Sequence, residues 1–271
     1  GTLAGMAMQR RYGRGVKLTT SLLLMGSATC AMAVLPGTAQ AGALAVVLLA
    51  HGSPDPRSSD ATRALGAVLQ GRSFETTVVV AFLQHNAPTL SDAVAGLARA
   101  GHSEAIVVPA FLSLAFHVRE DVPAAVRAAE DATGVRLSIA DPLGPDGSLL
   151  EALDRTLPPG PAVLATAGTT DPDALRALDR MASTWADQRG APVIVAHASQ
   201  SEPDVAHALR LLEESTGQEA AVGAFVLFPG VLPDRIAAAA GARVVSSPLY
   251  AEVETITLIE SRVAAALRRA A

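Results

Sequence analysis

The chain has 271 residues, a formal net charge of −5 from 21 basic and 26 acidic side chains, and a hydrophobic share of 50% of which little is aromatic, at 3% of the chain. That composition excludes a disordered tail, a disulfide scaffold and a nucleic-acid binder driven by a basic field. With so few aromatics the core is built from Ala, Val and Leu, which suits helices packed on a buried parallel sheet.

The charge is unevenly placed. Arg10, Arg11, Arg14 and Lys17 are the only charges in residues 1–43, so the remainder holds 17 basic against 26 acidic residues, a net of −9. Lys17 is the sole lysine, which leaves the body without a Schiff-base or P-loop lysine. Its cations are arginines, suited to bidentate carboxylate contacts. The order at the N-terminus is basic, then apolar from Leu22 to Leu35, then small residues from Thr38 to Ala41. This is the layout of a secretory signal cut near Ala41; the other reading is an upstream extension of a cytoplasmic protein. Gly26, Pro36, Gly37 and Gly42 interrupt the uncharged run, so stable membrane insertion is not expected. Cys30, the single cysteine, lies in this leader, and the body has no thiol for a disulfide, a metal or a nucleophile.

The body alternates apolar runs with amphipathic stretches. Strands are expected at Leu44–Ala50, Thr76–Leu83, Ala105–Leu112 and Val135–Ile139, with helices at Ser58–Gln70, Leu90–Ala100 and Asp121–Ala132 between them. A linker with Pro142, Gly144, Pro145 and Gly147 leads to a helix at Leu149–Leu157, and Pro158-Pro159-Gly160-Pro161 closes the unit. The alternation then restarts. Strands are expected at Ala162–Thr166, Pro192–Ala196, Ala220–Leu227 and Arg243–Ser246, and helices at Pro172–Gln188, Pro203–Ser215, Pro233–Ala240 and Glu252–Arg269. Repeated strand–helix units imply right-handed crossovers and α/β units with open parallel sheets. The expected division is a leader at 1–42, an N-terminal unit at 43–158 and a duplicated C-terminal unit at 159–271. The halves also echo each other: Ala50-His51-Gly52-Ser53-Pro54-Asp55-Pro56 against Thr166-Ala167-Gly168-Thr169-Thr170-Asp171-Pro172, and Ala110-Phe111-Leu112 against Ala224-Phe225-Val226. In this alignment His51 maps to Ala167 and His117 to Val231, so the imidazoles belong to the first half.

Open parallel sheets bind ligands outside the carboxyl ends of their strands. Three such ends carry candidates: His51, then Gln84-His85-Asn86, then His117. Imidazoles from neighbouring strand ends can share one borderline divalent metal, against the plainer reading of unrelated loop histidines. His102 and His207 are expected at the surface, and His197 follows its strand as His85 does. Arg57 and Arg119 lie near these loops and suit substrate carboxylates. Ser53 lacks a Gly-x-Ser-x-Gly elbow, and neither Gly-x-Gly-x-x-Gly nor a P-loop follows a strand, so no hydrolase triad or nucleotide cofactor is indicated.

Three segments, Leu48 to Arg57, Ala81 to Leu90, and Pro109-Ala110-Phe111-Leu112 leading to His117-Val118-Arg119-Glu120-Asp121-Val122-Pro123, resemble in order and spacing the motifs of the sirohydrochlorin chelatase family. The resemblance implies two similar α/β units (three-layer αβα) facing a central cleft. It also implies ATP-independent insertion of Co²⁺ or Fe²⁺, with Ni²⁺ a third candidate, into a tetrapyrrole in corrinoid or sirohaem synthesis. On that basis His51 and His117 hold the metal, His85 is an auxiliary base, and Ser53, Arg57, Gln84 and Arg119 contact substrate. Gln84 stands where the family usually has an acidic residue, and Arg57 lies three positions beyond the usual arginine. The competing expectation is a non-catalytic metal- or tetrapyrrole-binding protein on the same fold.

Overall fold

The computed structural model describes residues 44–72, 75–113, 117–199 and 201–270, and at 117 and 118 the backbone alone. The leader at 1–42 and its cut near Ala41 lie outside the described residues.

In the first half β1 (Leu44–Ala50), α1 (Pro56–Arg72), β2 (Thr76–Phe82), α2 (Leu90–Arg99), β3 (Glu104–Pro109), a π-helical turn (His117–Asp121), α3 (Val122–Thr133) and β4 (Arg136–Ile139) follow in order. The strands form one parallel sheet in the order β2-β1-β3-β4. A 3₁₀ turn (Gly147–Leu149) and α4 (Leu150–Asp154) lead to the second half. There β5 (Ala162–Thr166), α5 (Pro172–Arg189), β6 (Val193–His197), α6 (Val205–Thr216), β7 (Ala221–Ala224), α7 (Val231–Ala240), a 3₁₀ turn (Leu249–Ala251) and α8 (Val253–Ala270) follow, with a parallel sheet ordered β6-β5-β7.

Alternation along β1 sets the layering. Ala45, Val47 and Leu49 pack with Val94 and Leu97 of α2 and Val126 of α3 on the outer face. Val46 and Leu48 face inward, in a core with Leu65 of α1, Leu153 of α4, Trp185 of α5 and Ile259 of α8. In β5, Leu164 joins that same inner core, while Val163 and Ala165 face α6 and α7. The molecule is therefore helix, sheet, helix, sheet, helix, and the middle helical layer is shared by both sheets. Each fully buried Val or Leu of these strands contributes about 1.5–3 kcal/mol.

Two helices cross between the halves. α4 packs on β7, and α8 packs on β3 and β4. Arg262 of α8 donates to the Pro142 carbonyl (3.0 Å) and to Asp146 (2.7 Å), and Arg72 of α1 pairs with Glu260 at 2.6 Å.

Several expectations need correction. The strand expected at Arg243–Ser246 is reduced to one bridge, Val245 to Val222, so the second sheet has three strands. The third strands end earlier than expected, at Pro109 and Ala224. Beyond them Phe111 and Val226 turn back to hydrogen-bond the carbonyls of Pro109 and Ala224. The repeat register also shifts by one: Ala110 N–H bonds to Leu49 O as Phe225 N–H bonds to Ala165 O, which makes Phe225 the counterpart of Ala110. Twelve residues separate β3 from α3 and six separate β7 from α7, so His117 lies in a loop that the second half has shortened, not opposite Val231.

Candidate active site

In each sheet the chain leaves the central strands in opposite directions. The crevice at such a switch point is where open α/β sheets take ligands. One switch point lies between β1 and β3 and the other between β5 and β7, and the two face a common cleft of about 340 Å³. The first half contributes His51, Ser53 and the Ala110–Ser113 segment to its wall. The second half contributes the Thr166–Thr169 segment and an apolar rim from Phe225 to Pro233. Phe111, Phe225 and Phe228, three of the four phenylalanines among the described residues, line this cleft, which offers a flat apolar ligand a surface in a chain poor in aromatics.

His51 is the first residue beyond β1 and is half-buried. Its Nδ1 lies 3.1 Å from the Gly52 carbonyl. With the proton on Nδ1 the coordinating lone pair is on Nε2, the tautomer that metal-binding histidines commonly use. Its ring stands edge-on to Phe111 (centroids 6.4 Å, 84°) and tilted to His85 (6.4 Å, 37°).

The loop after β2 is tied to the loop after β1. Leu83 N–H donates to Ala50 O (3.0 Å), Gln84 N–H to His51 O (2.9 Å), and Ser53 N–H to Asn86 Oδ1 (2.7 Å). This approach requires Gly52: at φ +88°, a Cβ there would lie 1.9 Å from Gln84 O. Arg63 of α1 also donates to Ala87 O at 3.0 Å, and the loop ends in a Thr89–Asp92 capping box that starts α2. On this braced loop His85 and Gln84 are exposed, and His85 adopts φ +63°. The second half repeats the brace with other residues. Gly168 at φ +105° abuts Ser199 O, and Ser199 and Ser201 hydroxyls donate to the carbonyls of Ala167 and Thr169.

Among the described residues, Arg57 and Arg119 reach across the cleft to carboxylates of the second half. Arg57 of α1 binds Asp55 and reaches Asp234 of α7 at 2.6 Å. Arg119, on the π-helical turn, meets Asp171 at 3.2 Å and Asp173 at 4.0 Å. The Arg57 guanidinium holds the Asp55 carboxyl below its usual range, and both carboxylates hold the arginine's own proton more tightly. Asp171 is lowered first by the Ala174 N–H it accepts as cap of α5, with Arg119 adding to this. Both arginines read from sequence as substrate partners thus already bear protein carboxylates. Asp55 and Asp171 each precede the proline that starts a helix, a local signal that says nothing of these pairs. Asp234 had no signal, because its partner is 177 residues away.

Of the other sequence candidates, His51, Ser53, Gln84 and His85 come together at the ends of β1 and β2. The His117 backbone opens the π-helical turn, and its side chain is not described. Two histidines differ from expectation. His102 is buried. His197 is the last residue of β6, matching Phe82 rather than His85: His197 and Phe82 N–H groups bond to Pro203 and Pro88 carbonyls respectively. It is buried against Thr166 Oγ1 (2.9 Å), and burial lowers its pKa despite the opposing fields of Asp179 and Glu202. Among the described residues no three His, Cys, Asp or Glu gather as a metal cluster, and no helix is long and apolar enough to cross a membrane.

A family model described as CbiX matches residues 45–158 and again residues 161–267. The chain belongs to the CbiX family. The two matches of this CbiX chain follow its two sheets, and the family resemblance of its three motifs holds. The sirohydrochlorin cobaltochelatase of Saccharolobus solfataricus is 32% identical over 117 residues, 41% of this chain and 90% of that protein. The sirohydrochlorin ferrochelatase of Bacillus subtilis is 28% identical over 206 residues, 71% and 77% of the two chains. Among solved structures, SirB from Bacillus subtilis with Fe³⁺ superposes with a TM-score of 0.70 at 20% identity, over 82% of this chain and 94% of that one. CbiX, described as the terminal enzyme for biosynthesis of siroheme in denitrifying bacteria, gives 0.58 at 22% over 82% and 98%. At these identities the structural likeness shows the fold.

Proposed function

We propose that this CbiX chain is an ATP-independent sirohydrochlorin chelatase that inserts Co²⁺ or Fe²⁺ into the macrocycle, with Ni²⁺ a third candidate. The observation that carries the reading is His51: an imidazole whose Nδ1 faces the Gly52 carbonyl, set at a switch point, on the wall of a cleft that the second half rims with apolar residues from Phe225 to Pro233. Residues 43–158 form the metal-bearing unit and 159–271 the unit that closes the cleft over the macrocycle. The metal is a substrate, and no nucleotide takes part.

In this reading His51 and His117 bind the ion, and a neutral imidazole that has released it accepts a pyrrole proton. His85 is an auxiliary base, and Ser53 and Gln84 contact the macrocycle from the two tied loops. Arg57 and Arg119 bind peripheral carboxylates by exchanging Asp234 and Asp171 for them. The exchange matters because the body's net charge of −9 opposes an anionic substrate. The protein works in the cytoplasm; a mature N-terminus at Gly42 on protein from its native cell would overturn that location.

Gln84 favours a second reading, a non-catalytic binder of metal or tetrapyrrole, because an amide can neither take a proton nor offset a cation's charge. Mixing purified protein with Co²⁺ and sirohydrochlorin and following the macrocycle absorbance separates the two. The chelatase accelerates insertion over the protein-free rate, whereas the binder shifts the spectrum without doing so.

A further inference from the structure

We infer that His85 is a metal ligand, and that with His51 it forms a two-imidazole docking site for the incoming ion. The inference deepens the chelatase reading and rests on it only for the later transfer step.

The geometry comes from the brace between the two loops. Leu83 and Gln84 N–H groups are fixed to the carbonyls of Ala50 and His51, and Asn86 Oδ1 is fixed to Ser53 N–H, so the backbones that carry the two imidazoles are locked on either side. A metal–nitrogen bond of about 2.0–2.1 Å plus ~1.1 Å to the ring centre puts each centroid about 3.2 Å from a shared ion. Two such rings then have centroids about 5.2 Å apart at a tetrahedral angle and up to about 6.4 Å when opposed. The observed separation is 6.4 Å. Rotation of the exposed His85 ring inward by about 1 Å spans this range, and side chains on exposed loops make such moves readily.

Two further features support the assignment. His51 Nδ1 lies 3.1 Å from the Gly52 carbonyl oxygen, so a neutral ring that donates its proton there would meet an ion through Nε2. His85 is also the one non-glycine residue at positive φ among the described residues. A left-handed backbone in a non-glycine residue is uncommon, and such conformations concentrate where a side chain must be aimed. The Gln84 amide beside it is a poor ligand for a transition metal, and the imidazole at 85 supplies the basic nitrogen lone pair that the amide lacks.

Transfer balances with this pair. As M²⁺ leaves two neutral imidazoles for the macrocycle, two nitrogen lone pairs are released and the macrocycle sheds two pyrrole protons. Each imidazole takes one, so the metal–histidine bonds break as the N–H bonds form.

The test is titration calorimetry of the whole protein with Co²⁺ and no macrocycle. His85→Asn removes the imidazole and keeps a residue that tolerates φ +63°. The pair predicts at least a tenfold weaker Kd for His85→Asn and for His85→Gly, with wild-type melting temperature. His207→Asn, on an exposed face of α6, should stay within twofold of wild type. An affinity within twofold of wild type for His85→Asn, or equal losses for His85→Asn and His207→Asn, overturns the assignment. If Co²⁺ affinity depends on His85 but no insertion occurs, the chelatase reading falls and the docking pair stands. If insertion occurs and affinity ignores His85, the pair falls and the chelatase reading stands.

Discussion

Gly52→Ala tests how the two imidazole loops are held together. At φ +88°, an alanine pays the left-handed backbone cost of about 1–2 kcal/mol. Its Cβ would also lie 1.9 Å from the Gln84 carbonyl oxygen and 3.1 Å from Asn86 Oδ1. Relieving that contact means moving one loop by more than 1 Å, an overpacking cost of about 1–3 kcal/mol. The expected loss is thus about 2–5 kcal/mol. Gly134→Ala is the matched control: it has φ +72° at the end of α3 but nothing within 4 Å, so only the backbone cost of about 1–2 kcal/mol applies. Urea unfolding of the two variants gives the difference directly, and Co²⁺ titration of Gly52→Ala should show weakened binding because the Gln84 N–H to His51 O bond is displaced. Equal stability losses for the two alanines would refute the claim that close approach, rather than left-handed backbone alone, selects glycine at 52.

His197 is buried neutral, with its pKa below the usual 6.5. The unfolded chain therefore binds the proton more readily, and stability should decline as the pH is lowered through about 6.5 until the folded pKa is reached. His197→Phe, which copies Phe82, should flatten that limb of the stability–pH curve, and an unchanged slope would contradict the burial argument. Asp234→Asn leaves Arg57 with Asp55 alone and removes one negative charge at the cleft rim. The sirohydrochlorin KM should fall several-fold in dilute buffer, and the gain should shrink at 1 M salt, where the screening length is about 3 Å. A KM that rises or does not change would count against Arg57 as a carboxylate partner.

The alternation of apolar runs and amphipathic stretches located both sheets, because a strand buried on both faces has little choice but to be uniformly apolar. Loss of the eighth strand was not legible. Val244 and Val245 read as strand, yet Val245 makes only one bridge before Ser246 turns to cap Ala224 N–H with its hydroxyl. The helix exchange was hidden for a different reason. The apolar stripe of α8 says that one face is buried, but not that it lies on β3 and β4 of the other half. Local motifs placed His51 and Gln84-His85 correctly at strand ends, since a strand end is a local property. The partners of Arg57 and Arg119 were invisible because a cross-cleft pair depends on how the two halves dock. His197 was misread by one position: the alternation ends the strand at Ala196, whereas the Pro203 carbonyl keeps His197 in it.

The most direct test of the central claim is the initial rate of Co²⁺ insertion into sirohydrochlorin, followed by macrocycle absorbance, for the wild-type protein, His51→Ala and a protein-free control. The account predicts a wild-type rate well above the control and a His51→Ala rate lower by about 10²–10⁴-fold or at the control, the range for losing a positioned proton acceptor that also holds the metal. Equal rates in all three samples, or full activity without His51, would contradict it.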